Sequence, residues 1–222
     1  VAEETGGSIR NPASAQAIVG LKPTFGLVPT TGTLPLSASF LDVLGPHTKT
    51  VTDAAIVLDV IAGHSVDDPK TRSAIGKLPL SGYVHALKTG ALRGKRVGLY
   101  GLGWGYQALS PETIKLYQQS IEVIESLGGS VVEDPFKGTT FSTLVPESGW
   151  KQYFYGLESL VYDFDQYLKG SFSNDRSINS LNEFIEKVGV NPFLDHDTQL
   201  GLIWKAAKLA DSRHDDSERQ AL

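Results

Sequence analysis

Arg96-Val97-Gly98-Leu99-Tyr100 begins the stretch that decides the fold; a helical segment from Ser110 and the run Ser130-Val131-Val132-Glu133 complete it. The first run is short, apolar and β-prone, and predicts a strand. Ser110-Pro111-Glu112 then carries a helix cap, an N1 proline and an early acid. Ile114, Tyr117, Ile121 and Ile124 recur at three- and four-residue spacing, which defines one buried helix face. Gly128-Gly129 stops the helix and the chain returns as a second strand. Strand, helix and strand in that order imply a parallel βαβ pair, so the fold class is α/β.

Ahead of this unit, residues 1–36 are rich in Gly, Ser, Thr and Pro, reading as tight turns between short elements. Asn11-Pro12 starts a short helix through Gln16. Thr50-Val51-Thr52-Asp53 has the form of a capping box, followed by an apolar run, Ala54 to Ala62, that predicts a buried helix closed by Gly63. Residues 64–94 read as surface connection. From Pro146 the pattern turns helical and aromatic: Trp150 to Leu168, a helix capped by Ser180 and Glu183, and a third from about Asp195 to Asp211.

Composition narrows the function classes. The 222 residues are 41% hydrophobic and 20% charged, ordinary for a globular protein. A net charge of −5 argues against a nucleic-acid surface. No apolar run has the length of a membrane span. Cysteine is absent, which removes disulfides, thiolate nucleophiles and Cys-based zinc sites. Compartment is not encoded in these features, and the balance leans to the cytoplasm. Methionine is absent and the chain opens on Val1, so it reads as a fragment or a trimmed chain.

Glu4-Thr5-Gly6-Gly7-Ser8-Ile9-Arg10 is the run with chemical content. Adjacent glycines admit positive φ and let the backbone approach a ligand with its N–H groups exposed. A serine directly after them has its hydroxyl beside several free donors. Acyl transfer needs that pairing of a nucleophile with donors aimed at the developing oxyanion. On its own the run reads first as an ordinary Gly-Gly-Ser turn.

The context is more specific. Thr5 to Ala13, then Val19-Gly20-Leu21-Lys22-Pro23-Thr24-Phe25-Gly26, Phe40-Leu41-Asp42-Val43-Leu44-Gly45-Pro46 and Thr50-Val51 with Asp53-Ala54 follow in order. This series resembles the amidase signature family. The resemblance implies a central mixed sheet flanked by helices. It divides the chain into a nucleophile motif and core at 1–62, a βαβ unit at 94–134 and a variable helical substrate-side region at 146–222, with parts of the domain on both sides absent. It implies that Ser8 is the nucleophile and that the N–H groups of Thr5, Gly6, Gly7 and Ser8 form an oxyanion hole. The activating lysine and bridging serine of the family lie ahead of this motif, so the isolated chain is expected to be inactive. The substrate is a small-molecule amide, with no metal or organic cofactor, no direct nucleic-acid contact and no membrane; a homodimer stays open. Glu4 stands where the family usually has aspartate, Glu3 where it has a small residue, and Lys49 where arginine is commoner.

Other readings are weaker. A Ser-His-Asp site would draw on His47, His64, His85, His196 or His214, but the Gly-x-Ser-x-Gly elbow fails at Arg10. Ser148-Gly149-Trp150-Lys151 and Lys88-Thr89-Gly90 match penicillin-binding signatures in the wrong order. Gly101-Leu102-Gly103-Trp104-Gly105 outlines a nucleotide-binding loop, the alternative function, yet its helix starts too late to cradle a pyrophosphate. Asp195-His196-Asp197 and His214-Asp215-Asp216 cannot converge on one metal from adjacent helical positions. Trp150, Tyr153, Phe154, Tyr155 and Tyr162 are core aromatics or the wall of a substrate channel.

Overall fold

The computed structural model describes residues 1–99, 109–136, 138–139, 156, 159–170 and 178–189. The chain divides into two units, one of Val1–Val84 with Lys151–Leu222 and the other of His85–Trp150.

In the first unit, strand β1 (Ala2–Glu4) leads through the Gly-Gly-Ser turn into helix α1 (Arg10–Ala15). Strands β2 (Val19–Gly20), β3 (Val43–Gly45) and β4 (His47–Thr48) follow, then helix α2 (Val51–Ile61). β1 pairs antiparallel with β3, Glu4 opposite Val43, and β2 pairs antiparallel with β4. Ile9, fully buried, is the residue around which these short elements pack. Two glycines allow the approach. A Cβ on Gly20 would lie 2.6 Å from the Ala13 Cβ, and one on Gly45 would lie 2.0 Å from the Leu21 carbonyl oxygen.

Thr50 caps α2 by accepting from the Asp53 N–H at 3.0 Å, and its hydroxyl donates to the Asp53 carboxylate at 2.8 Å. Ala54, Ala55 and Leu58 are buried, whereas Ile56 and Val60 are exposed, so α2 packs on one face rather than all round. Ala62 is the C-cap in extended conformation and Gly63 follows at positive φ. Two 3-10 turns, Pro69–Ala74 and Val84–Ala86, interrupt the connection at 64–94.

The second unit contains β5 (Arg96–Leu99), α3 (Pro111–Ser126) and β6 (Ser130–Glu133). β5 and β6 pair in parallel, Arg96 opposite Ser130. Along α3 only Ile114, Tyr117, Ile121 and Ile124 are half-buried and the rest is exposed, which is the face their spacing defines. Parallel and antiparallel ladders with packed helices make the chain α/β.

Back in the first unit, α4 (Leu160–Lys169) and α5 (Leu181–Val188) pack Leu160, Phe164 and Leu181 into a core with Leu36 of the loop before β3. Phe164 and Phe184 meet at 5.9 Å between ring centroids. The aromatic run predicts a helix over Trp150 to Leu168; residues 150–155 and 157–158 lie outside the described residues, and α4 covers the end of that range from Leu160. Gly156 takes φ +90 in a turn, a conformation no helix residue shares, and its open Cα faces Phe40 and Ser37. Ser180 caps α5, accepting from the Glu183 N–H at 3.2 Å, while Glu183 accepts from Asn179 N–H at 2.7 Å. The third helix, near 195–211, falls outside the described residues.

Candidate active site

The Gly-Gly-Ser turn hangs between two anchors on opposite faces of β1. Side chains alternate along a strand, so Glu4 points one way and Glu3 and Thr5 the other. On the Glu4 side the carboxylate is buried. Its Oε2 accepts from the Ile9 N–H at 2.9 Å and the Arg10 N–H at 3.0 Å; its Oε1 accepts from Arg10 Nε at 2.7 Å. Burial pushes the Glu4 carboxyl up, but the Arg10 side-chain bond, the two backbone donors and the Arg10 charge outweigh it, and the group ends below the usual carboxylate range. The Glu4 carboxylate thus holds the far end of the turn.

On the other side, the Thr5 hydroxyl donates to Asp42 Oδ1 at 2.6 Å. Asp42 is fully buried, and its Oδ2 accepts from the N–H groups of Leu36 at 3.0 Å and Ser37 at 2.8 Å. Sequence reasoning places Asp42 within a motif but gives it no role. The signal is there in part, since a carboxylate inside an apolar run needs donors to be buried.

Ser8 is exposed between these anchors. Among the described residues its hydroxyl makes no hydrogen bond, and the N–H groups of Gly6, Gly7 and Ser8 donate to no protein acceptor. The two glycine carbonyls are engaged instead: Gly7 accepts from the Asn11 N–H at 2.8 Å, and Gly6 from Arg10 Nη2 at 3.3 Å. The positive φ that adjacent glycines admit is not used here, because neither Gly6 nor Gly7 lies in the left-handed region. At Gly7 the space is what matters: a Cβ there would sit 2.7 Å from the Asn11 side-chain amide.

Neither His47 nor His64 is hydrogen-bonded to Ser8. His47 Nε2 is bonded to the Ile9 carbonyl at 2.7 Å and His64 Nδ1 to Thr71 Oγ1 at 3.0 Å. His85 is exposed, and His196 and His214 lie outside the described residues. So do Ser148 and Lys151, the Gly101–Gly105 loop, Trp150, Tyr153, Phe154, Tyr155 and both acidic-histidine clusters. Lys88-Thr89-Gly90 forms an exposed turn. No group of three metal-ligating side chains occurs among the described residues, and no described helix is long and apolar enough to cross a membrane.

A cleft of about 600 Å³ lies in the same unit, lined by Thr30 to Thr33, Ser39, Asp68, Lys70 and, from α4, Tyr162, Asp163 and Tyr167. Its Lys70, Asp68 and Asp163 are engaged internally. Lys70 pairs with Asp68 at 3.4 Å, donates to Thr30 and to the Ala38 carbonyl, and stands 5.3 Å over the Phe25 ring. Asp163 accepts from Ser39 and Ser159. Glu3 accepts from the cleft residue Thr33 at 3.3 Å. Burial, aided by the Asp42 charge, raises its carboxyl to about 7 against the lowering influence of Thr33 and Lys70.

Fold and site together define an α/β protein that presents an exposed serine, beside free backbone donors, at a turn pinned from both faces of a strand. The chain belongs to the Amidase family, whose model matches residues 1–220. It is 45% identical over 130 residues to a glutamyl-tRNA(Gln) amidotransferase subunit of Thermosynechococcus vestitus, an overlap of 59% of this chain and 26% of that protein. It is 30% identical to the native peptide amidase of Stenotrophomonas maltophilia, with a TM-score of 0.63, covering 84% of this chain and 36% of that one. An amidase family protein of Bacillus anthracis, 24% identical with a TM-score of 0.70 over 98% of this chain and 40% of that one, shares the fold. The chain thus spans roughly a quarter of the curated relative's length. These relatives give the nucleotide-binding alternative no support.

Proposed function

We propose that Ser8 is the nucleophile of an amide hydrolase. Its Oγ adds to a carboxamide carbonyl while the N–H groups of Thr5, Gly6, Gly7 and Ser8 receive the developing oxyanion. Collapse breaks the C–N bond, the nitrogen leaves with a proton, and the acyl group stays on Ser8 as an ester. Water then attacks the ester, releasing the carboxylate and restoring the hydroxyl. The proton relay is the bridging serine and lysine that the family resemblance places ahead of the motif. An uncharged lysine takes the Ser8 proton through that serine and returns one to the departing amine.

The observation that carries this reading is the Ser8 hydroxyl, unpaired among the described residues, beside unpaired backbone donors held by Glu4 and Thr5. Likeness to a peptide amidase supports the reaction class. A fluorophosphonate probe applied to the full-length protein should label Ser8, with labelling and amide turnover both lost in Ser8→Ala. Retained turnover in that variant would remove Ser8 from the chemistry. The amidotransferase relative favours a second destination for the nitrogen, delivery to a partner protein. Free ammonia or amine released without any partner protein supports simple hydrolysis.

A further inference from the structure

We propose that Asp42 is a positioning residue for the oxyanion donors, acting through the Thr5 hydroxyl; the inference rests on the Ser8 reading above. β1 pairs with β3 as far as Glu4 opposite Val43. The next pair in that register is Thr5 and Asp42, and here the antiparallel rungs give way to the side-chain bond at 2.6 Å. The backbone leaves the sheet at Thr5 to become the donor turn, so this bond fixes the direction in which Gly6, Gly7 and Ser8 depart.

Asp42 is suited to the task because it cannot move. Its Oδ2 is committed to the Leu36 and Ser37 N–H groups, and its side chain is fully buried. Only Oδ1 remains, aimed at Thr5. Ser37 is tied in turn to the turn before α4, its hydroxyl donating to the Gly156 carbonyl at 2.5 Å. The Asp42 carboxylate therefore joins the donor turn to a loop that is itself braced. At the other end Glu4 fixes Ile9 and Arg10. Gly6, Gly7 and Ser8 are the three residues between the fixed points, and loss of the Thr5 bond frees one end of them. An oxyanion hole depends on donors being in place before charge develops, so slack here falls on the transition state and spares the ground state.

The test uses the full-length protein and the rate at which a fluorophosphonate modifies Ser8, separated into initial binding and maximal inactivation. Thr5→Val keeps the volume and the β-branch and removes only the donor. Maximal inactivation should fall about 10- to 100-fold, somewhat less than the loss of a whole oxyanion donor, with initial binding within about threefold. Thr5→Ser, which restores the hydroxyl, should recover most of the loss. A merely structural role would lower the melting temperature without splitting rate from binding and without the rescue. Asp42→Asn is the second variant: its amide oxygen can still accept from Leu36 and Ser37, so it keeps the loop while replacing the acceptor that Thr5 faces. It should lose rate in the same sense as Thr5→Val. Wild-type inactivation rates in both Thr5→Val and Asp42→Asn, with Ser8→Ala inert to the probe, overturn the positioning role alone. Probe modification that persists in Ser8→Ala overturns the nucleophile reading beneath it.

Discussion

At the scale of single residues, the two glutamates of β1 illustrate how one step along a strand reverses an electrostatic environment. Glu4 meets donors and is held ionised; Glu3 meets a half-buried site with the Asp42 carboxylate behind it and titrates near 7. Their contributions to stability run in opposite senses. Glu3 has its folded value above the ordinary 4.5, so its contribution is complete below that value and is lost as pH rises through about 7. Glu4, lowered when folded, contributes above the ordinary value and loses that contribution as pH falls through its depressed one. Of these two glutamates, Glu3 is the one whose contribution changes between pH 5 and 8. Melting temperature should decline across that range in the wild type, and Glu3→Gln, neutral throughout, should flatten the decline. An unchanged slope in Glu3→Gln would assign the pH dependence to other groups. Residue-level legibility was uneven for a physical reason. Ser8 stood out because the nucleophile proposed here must be a particular residue type, whereas Gly6 and Gly7 would supply backbone, whose dihedrals sequence alone does not state.

At the scale of elements, local signals held where they were local. The caps at Thr50, Ser110 and Ser180 each accept from the N–H three residues on, as the short polar side chain dictates. The half-buried face of α3 follows its apolar spacing residue for residue. Features that depend on distant contacts did not announce themselves. Gly156 lies against Phe40 and Leu41, and Asp163 accepts from Ser39, contacts that span more than a hundred residues. The pairing of β1 with β3 closes a shorter gap, from Glu4 to Val43, around Ile9. Gly45 is its tightest point, with the Leu21 carbonyl where a side chain would begin. Backbone cannot yield as the tip of a side chain can. Gly45→Ala should cost at least about 3 kcal/mol, at the upper end for overpacked positions. Chemical denaturation would measure it, and a loss below about 1 kcal/mol, the lower end of that range, would mean that β3 can slide away from Leu21 without harm.

At the scale of the whole molecule, the question is where the base comes from. Among the described residues no lysine or histidine reaches the Ser8 hydroxyl. His47 is spent on the Ile9 carbonyl, His64 on Thr71, and Lys70 on Thr30, Ala38 and Asp68. A serine hydroxyl without a base is a weak nucleophile at neutral pH, whatever donors surround it, because its proton must leave as the new bond forms. Donors and base are thus separate assets, and this chain's described residues account for the first. Positioned proton transfer contributes about 10²- to 10⁴-fold. The purified 222-residue chain should therefore react with a fluorophosphonate more slowly, by a factor of that order, than a longer form carrying the lysine and bridging serine of the family. Folding of the short chain is checked in the same sample by its melting transition. Equal rates in the two forms would place a working base within these 222 residues and remove the relay from the proposed mechanism.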